Sequence, residues 1–304
     1  MPGTIGGRRE GGGRRRHAAG IIPAVHLSRP AIMGVINVTP DSFSDGGRFA
    51  ETSAAVAHGL RLAGDGAHIL DVGGESTRPG AAPVSEEEEL ARVVPVVEGL
   101  GAADGPSFEI SIDTAKLGVA EAALDAGAHI VNDVTAFRSA PEMAGLVAER
   151  GVGCCLMHML GEPRTMQRAP RYGDVVSEVK SFLEERLALA VSEGVDEDRI
   201  WLDPGIGFGK TVAHNLELLR RLDELVAIGR PIVVGTSRKS FLGKLAGGRS
   251  ESERLPGTIA TNVLALERGA SVFRVHDVAE VTDALTVAAA TVGAPREELP
   301  DGRP

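Results

Sequence analysis

A chain of 304 residues, 43% hydrophobic and 24% charged, can bury a large core, which excludes a wholly disordered protein. Its formal net charge of −10 excludes a broad face for nucleic acid or anionic membranes and leaves room only for local anion sites. No apolar run approaches the roughly 18 residues of a membrane span, so the chain is expected to be cytoplasmic and to act on small molecules, with no nucleic-acid or membrane partner.

Residues 1–30 are rich in Gly and Arg without an apolar period and read as a disordered tail. Residues 294–304, with prolines and charges and no core face, read the same way, so the folded body is expected over 31–293. Within that body eight short runs rich in β-branched residues read as strands: AIMGVIN (31–37), HILDVG (68–73), FEISID (108–113), HIVNDV (129–134), GVGCCLMH (151–158), RIWLDP (199–204), PIVVGT (231–236) and SVFRVH (271–276). Longer segments between them, such as AAVAHGLRLAGDG and EEEELARVVPVVEGL, place apolar residues at three- and four-residue spacing and read as helices. The pairs Gly66-Ala67, Gly127-Ala128 and Gly269-Ala270 repeat one turn chemistry between helix and strand.

Eight such units predict a single-domain α/β fold, a (β/α)8 TIM barrel of the usual size of about 250 residues. An open doubly wound sheet would want a G-x-G-x-x-G turn after its first strand, and NVTPDSFSDGG is not one. The only cysteines, Cys154 and Cys155, are adjacent in an apolar run and read as buried packing residues.

A strand covered on both faces stays apolar until it leaves the barrel, yet these runs end in Asn37, Asp71, Asp113, Asn132 with Asp133, His158, Asp203, Thr236 to Lys239, and Arg274 with His276. Each alone has an equally good reading as a helix cap or a satisfied core group. Together they converge on the face where barrels do chemistry. Strands 3, 4 and 6 offer carboxylates and an amide, suited to the amino-imino edge of a flat heterocycle. Strands 7 and 8 offer Arg238, Lys239, Arg274 and His276 near Asn37, suited to a phosphate or diphosphate.

Two long polar loops, NVTPDSFSDGGRF and GGESTRPGAAPVS, read as lids, and the turn DPGIGFGKT lets backbone approach a ligand, with Phe208 free to pack on a ring. Zinc, P-loop, Ser-His-Asp elbow and nicotinamide fingerprints are all missing.

The segments MGVINVTPDSFSDGG, GAHILDVGGESTRPGA, SIDTAK, VNDV, LMHMLGEPRTMQ, DPGIGFGK, GTSRKSFLG and FRVHDV, in that order, resemble the dihydropteroate synthases, folate-pathway enzymes targeted by sulfonamides. The resemblance implies condensation of 6-hydroxymethyl-7,8-dihydropterin diphosphate with p-aminobenzoate, SN1-like, by a Mg2+-using homodimer. It implies that Asp113, Asn132, Asp203, Lys239 and Met157 hold the pterin, with Asp113, Lys239 and Asp203 catalytic. Asn37, Arg274 and His276 would hold the diphosphate, and Asn37 the Mg2+. Phe43, Thr77, Arg78, Pro79, Phe208 and Ser240 would hold p-aminobenzoate. A methyltetrahydrofolate:corrinoid methyltransferase shares the pterin half of such a ring but needs no diphosphate site, and a non-catalytic pterin-binding relative would fail to bind p-aminobenzoate.

Overall fold

The structure, a computed structural model, describes residues 30–39, 47–77 and 80–292. The expected tails, the centre of the first lid loop, and Phe43, Arg78 and Pro79 lie outside the described residues.

Strand and helix alternate throughout: β1 (Ala31–Asn37), α1 (Gly47–Gly64), β2 (Ile69–Gly73), α2 (Glu86–Gly101), β3 (Glu109–Asp113), α3 (Leu117–Asp125), β4 (Ile130–Asp133), α4 (Met143–Arg150), β5 (Gly153–Met157), α5 (Val175–Ser192), β6 (Ile200–Asp203), α6 (Val212–Arg220), α7 (Leu222–Val226), β7 (Val233–Val234), α8 (Ser240–Leu245), α9 (Leu255–Glu267), β8 (Val272–Val275) and α10 (Val278–Val292). All strand pairings are parallel, in the order β6-β5-β4-β3-β2-β1-β8-β7. A parallel bridge between Leu202 and Ile232, with Leu202 N–H donating to the Pro231 carbonyl at 3.0 Å, joins β6 to the approach of β7 and closes the ring. The fold is a single-domain (β/α)8 barrel, and the open-sheet alternative falls away.

Side chains alternate across a strand, so one set points into the barrel and the other toward the helices. Ala31, Met33, Ile69, Ile130, Cys155, Trp201, Val233 and Val272 form a separate buried cluster, an apolar floor. Two residues further along the same faces stand Asp71, Asn132, Met157, Asp203 and Arg274, so the inward surface turns from apolar to polar along its length. Cys154 and Cys155 are fully buried, unpaired and pushed above the usual thiol range by burial, as packing residues should be.

The glycine turns repeat in detail. Gly66, Gly127 and Gly269 have φ of 106°, 113° and 95°, and the alanine after each donates to a carbonyl five residues back, Ala67 to Leu62, Ala128 to Ala123 and Ala270 to Ala265, at 2.9, 2.9 and 3.0 Å. This bond caps the helix and aims the chain into the next strand, and a Cβ disfavours the backbone it needs. Among the described residues no helix is long and apolar enough to cross a membrane.

Gly127→Ala meets no atom within 4 Å, so its whole cost is backbone strain, expected at about 1–2 kcal/mol. Gly145→Ala in the exposed face of α4 also meets nothing and should stabilise by about 0.5–1 kcal/mol. Urea unfolding at constant m checks the pair, and equal signs would refute the turn argument.

Candidate active site

The C-terminal ends of the strands gather Asp113, Asn132, Met157 and Asp203 around a cavity of about 50 Å3, completed by Lys239, Arg274 and His276, with Thr77, Val134 and Phe208 at its sides. A second cavity of about 550 Å3 adjoins it, sharing Thr77, Asp113 and Val134, and runs out between the loops after β2, β4 and β5 past Arg138 and Arg164.

One guanidinium organises the deep cavity. Arg274 donates from Nε to Asp71 Oδ2 at 2.6 Å and from Nη2 to Asp113 Oδ2 at 2.7 Å. Asn132 Nδ2 donates to the same Asp71 oxygen at 3.1 Å. Burial pushes Asp113 up to about 7 against the pull of Arg274, and Asp71, Glu89 and Asp133 add to the rise. Burial also raises Asp203, which Lys239 and the Gly205 N–H, donating at 2.6 Å, partly offset.

Lys239 is brought down to about 8 by burial, with Asp203 opposing and Arg274 adding to the fall. Its Nζ donates to the Ile206 carbonyl and stands 4.5 Å from the centre of the Phe208 ring. The site therefore holds carboxylates above and a lysine below their ordinary ranges, as a water-poor pocket requires.

The turn after β6 needs its glycines. Gly205, Gly207 and Gly209 have φ of 63°, 87° and 62°, and a Cβ at Gly205 would stand 1.9 Å from the His158 carbonyl oxygen. Lys210 folds under this turn, donating to His158 Nδ1 at 2.9 Å and to the Phe208 carbonyl at 3.0 Å. Burial, then Lys210 and Arg138, take His158 down to about 3, so it is a neutral acceptor that supports the turn. Beside β3, Lys116 bridges Glu75 and the buried Glu89, and Glu75 also accepts from Val84 N–H at 3.2 Å, which ties the loop after β2 to α2.

Of the residues expected at the site, Thr77, Asp113, Asn132, Met157, Asp203, Phe208, Lys239, Arg274 and His276 line the deep cavity. Asn37, at the end of β1, and Ser240, first residue of the six-residue α8, are exposed and line neither cavity. Two expectations change. Arg238 is paired with Asp277 rather than offered to a phosphate, at a φ of 57°. Arg274 is engaged by two carboxylates, so besides its place in the basic arc it links that arc to the acidic one.

Asp133 turns outward, accepting from Thr135 N–H and Oγ1 at 2.7 and 2.8 Å and from Phe137 N–H at 2.8 Å, which leaves Asn132 as the inward partner of that pair. Sequence reasoning named Asp71, and Ser237 within Thr236 to Lys239, only as polar strand ends without a specific role, and did not single out Lys210. The strand period could have placed Asp71 inside the barrel, two positions beyond Ile69 on the same face. Ser237, whose Oγ lies 3.0 Å from His276 Nδ1, carries no such signal.

Among the described residues no three His, Cys, Asp or Glu side chains converge as a metal site. Asn37 supplies an amide oxygen at the end of β1, a hard donor of the kind that fits Mg2+ arriving with a phosphorylated ligand and taking its other ligands from phosphate and water.

Residues 33–276 match the family described as pterin binding enzyme. Escherichia coli (strain K12) dihydropteroate synthase is 48% identical over 273 residues, covering 89% of this chain and 95% of the relative. The solved structure of Xanthomonas albilineans dihydropteroate synthase with 4-aminobenzoic acid has a TM-score of 0.82 at 49% identity, over 90% of this chain and 95% of that one. The enzyme from the same organism in complex with 7,8-dihydropteroate has a TM-score of 0.79 at 45% identity, over 90% and 96%.

Proposed function

This chain belongs to the dihydropteroate synthase family, and from that membership we propose that it condenses 6-hydroxymethyl-7,8-dihydropterin diphosphate with p-aminobenzoate, giving 7,8-dihydropteroate and diphosphate. The observation that carries the reading is the single deep cavity in which Asp113, Asn132, Asp203 and Lys239 stand beside Arg274 and His276. A pterin offers a paired amino and imino edge to Asp203 and an oxo group to Lys239, while Asn132 and Met157 flank the ring. The diphosphate takes Arg274 and His276.

Departure of diphosphate before attack leaves positive charge on the pterin methylene, and Asp113 is the anion placed to stabilise it. A diphosphate bound at Arg274 shares the guanidinium with Asp113, and positive charge developing on the pterin takes over part of the role of Arg274 in keeping Asp113 ionised. Mg2+ held at Asn37 would neutralise charge on the leaving group. No strong base is needed, because an arylamine attacks such a cation directly.

p-Aminobenzoate is assigned to the outer side, along Thr77, Phe208 and Lys239, with its carboxylate toward Ser240; Phe43, Arg78 and Pro79 belong to this assignment through their motifs. A homodimer is carried from the resemblance to the family, and the buried unpaired thiols fit a reducing cytoplasm.

Incubation with the pterin diphosphate, Mg2+ and labelled p-aminobenzoate should yield labelled dihydropteroate, and Ser240→Ala should raise KM for p-aminobenzoate alone. Absence of labelled product would overturn the activity, and an unchanged KM would overturn the Ser240 assignment. Light scattering at micromolar concentration should give twice the chain mass; a monomer would refute the dimer.

A further inference from the structure

Asp71 is fully buried, two residues before the end of β2, and lines neither cavity. Its Oδ2 nevertheless accepts from two groups that do line the deep one, Arg274 Nε and Asn132 Nδ2. Its Oδ1 is buried without a hydrogen-bond partner, so Arg274 is the cation that compensates this carboxylate. A guanidinium is a rigid planar fork, and fixing Nε on one carboxylate fixes where Nη2 and the remaining donor point.

We propose that Asp71 is the positioning residue of the site: from below the cavity it holds the Arg274 fork and the Asn132 amide in their working orientations and keeps Arg274 from pairing with Asp113 alone. The proposal rests on the assignment of Arg274 to the diphosphate and Asn132 to the pterin.

The charge balance gives this a consequence. Asp113 faces Arg274 on β8, Asp71 on β2, Glu89 on α2 and Asp133 on β4. With Asp71 neutral, Asp113 loses a like charge and gains the undivided attraction of Arg274, so its pKa moves down. An incoming diphosphate must then draw Arg274 from a tighter partner. The aromatic amine, which does not touch this pair, is unaffected.

The test is Asp71→Asn, which keeps shape and removes charge. Carboxyl-labelled NMR should place the Asp113 midpoint near 7 in the parent chain and at least about one unit lower in the variant. Steady-state kinetics should show KM for the pterin diphosphate raised about tenfold or more with KM for p-aminobenzoate unchanged. A folded variant whose Asp113 midpoint does not move, or in which both KM values rise together, overturns the proposal.

Should the variant not fold, the parent chain still decides. The Arg274 Nε proton, donated to Asp71, should remain a slowly exchanging NMR signal when inorganic diphosphate is added, and its loss to fast exchange overturns the proposal. Neither NMR readout requires turnover, so failure of the parent chain to make product would sink the functional reading separately.

Discussion

Arg274 is bound by two carboxylates from neighbouring strands at 2.6 and 2.7 Å, in the part of the barrel where the lining changes from apolar to polar. Taken from water singly, each of these charges would be costly, and they persist there because each satisfies another. The pair with Asp71 sets the fork, the pair with Asp113 leaves that acid incompletely compensated, and the amide of Asn132 is fixed by the same oxygen. The oriented Asn132 and a cation available to an entering anion both follow from one guanidinium placed between two acids, while burial keeps Asp113 raised against the pull of that cation.

The scaffold makes that placement possible. Parallel pairing puts Gly73 beside Asp113 and Asp113 beside Asn132, so residues far apart in sequence share one layer. On the opposite side, the glycine turn after β6 brings backbone carbonyls against Lys239 and Lys210, which a buried lysine needs when no carboxylate is in contact.

Much of this was legible in the residues. Repeated strand-helix units, glycine-alanine turns and polar strand ends led to the barrel, and family motifs led to nine side chains that do line the deep cavity. What local sequence could not reveal was direction and partnership. Asp133 and Asn132 are adjacent, and only the pleat decides which faces inward. Arg238 and Arg274 are both cations near strand ends, yet Asp277 takes one and Asp71 with Asp113 the other. Asp71 reads as a cap when strand ends are counted one by one, and as a central group only when its side chain is seen to reach across β1 to Arg274.

This ion network presents an ionised Asp113 to a bound pterin, although burial holds the free acid near 7. Calorimetric binding of 6-hydroxymethyl-7,8-dihydropterin at pH 6.5, in two buffers of different ionisation enthalpy, tests it most directly. Release of a large fraction of one proton at pH 6.5, falling away by pH 8, is the predicted result. Binding with no proton release at pH 6.5, or with uptake, would contradict the account.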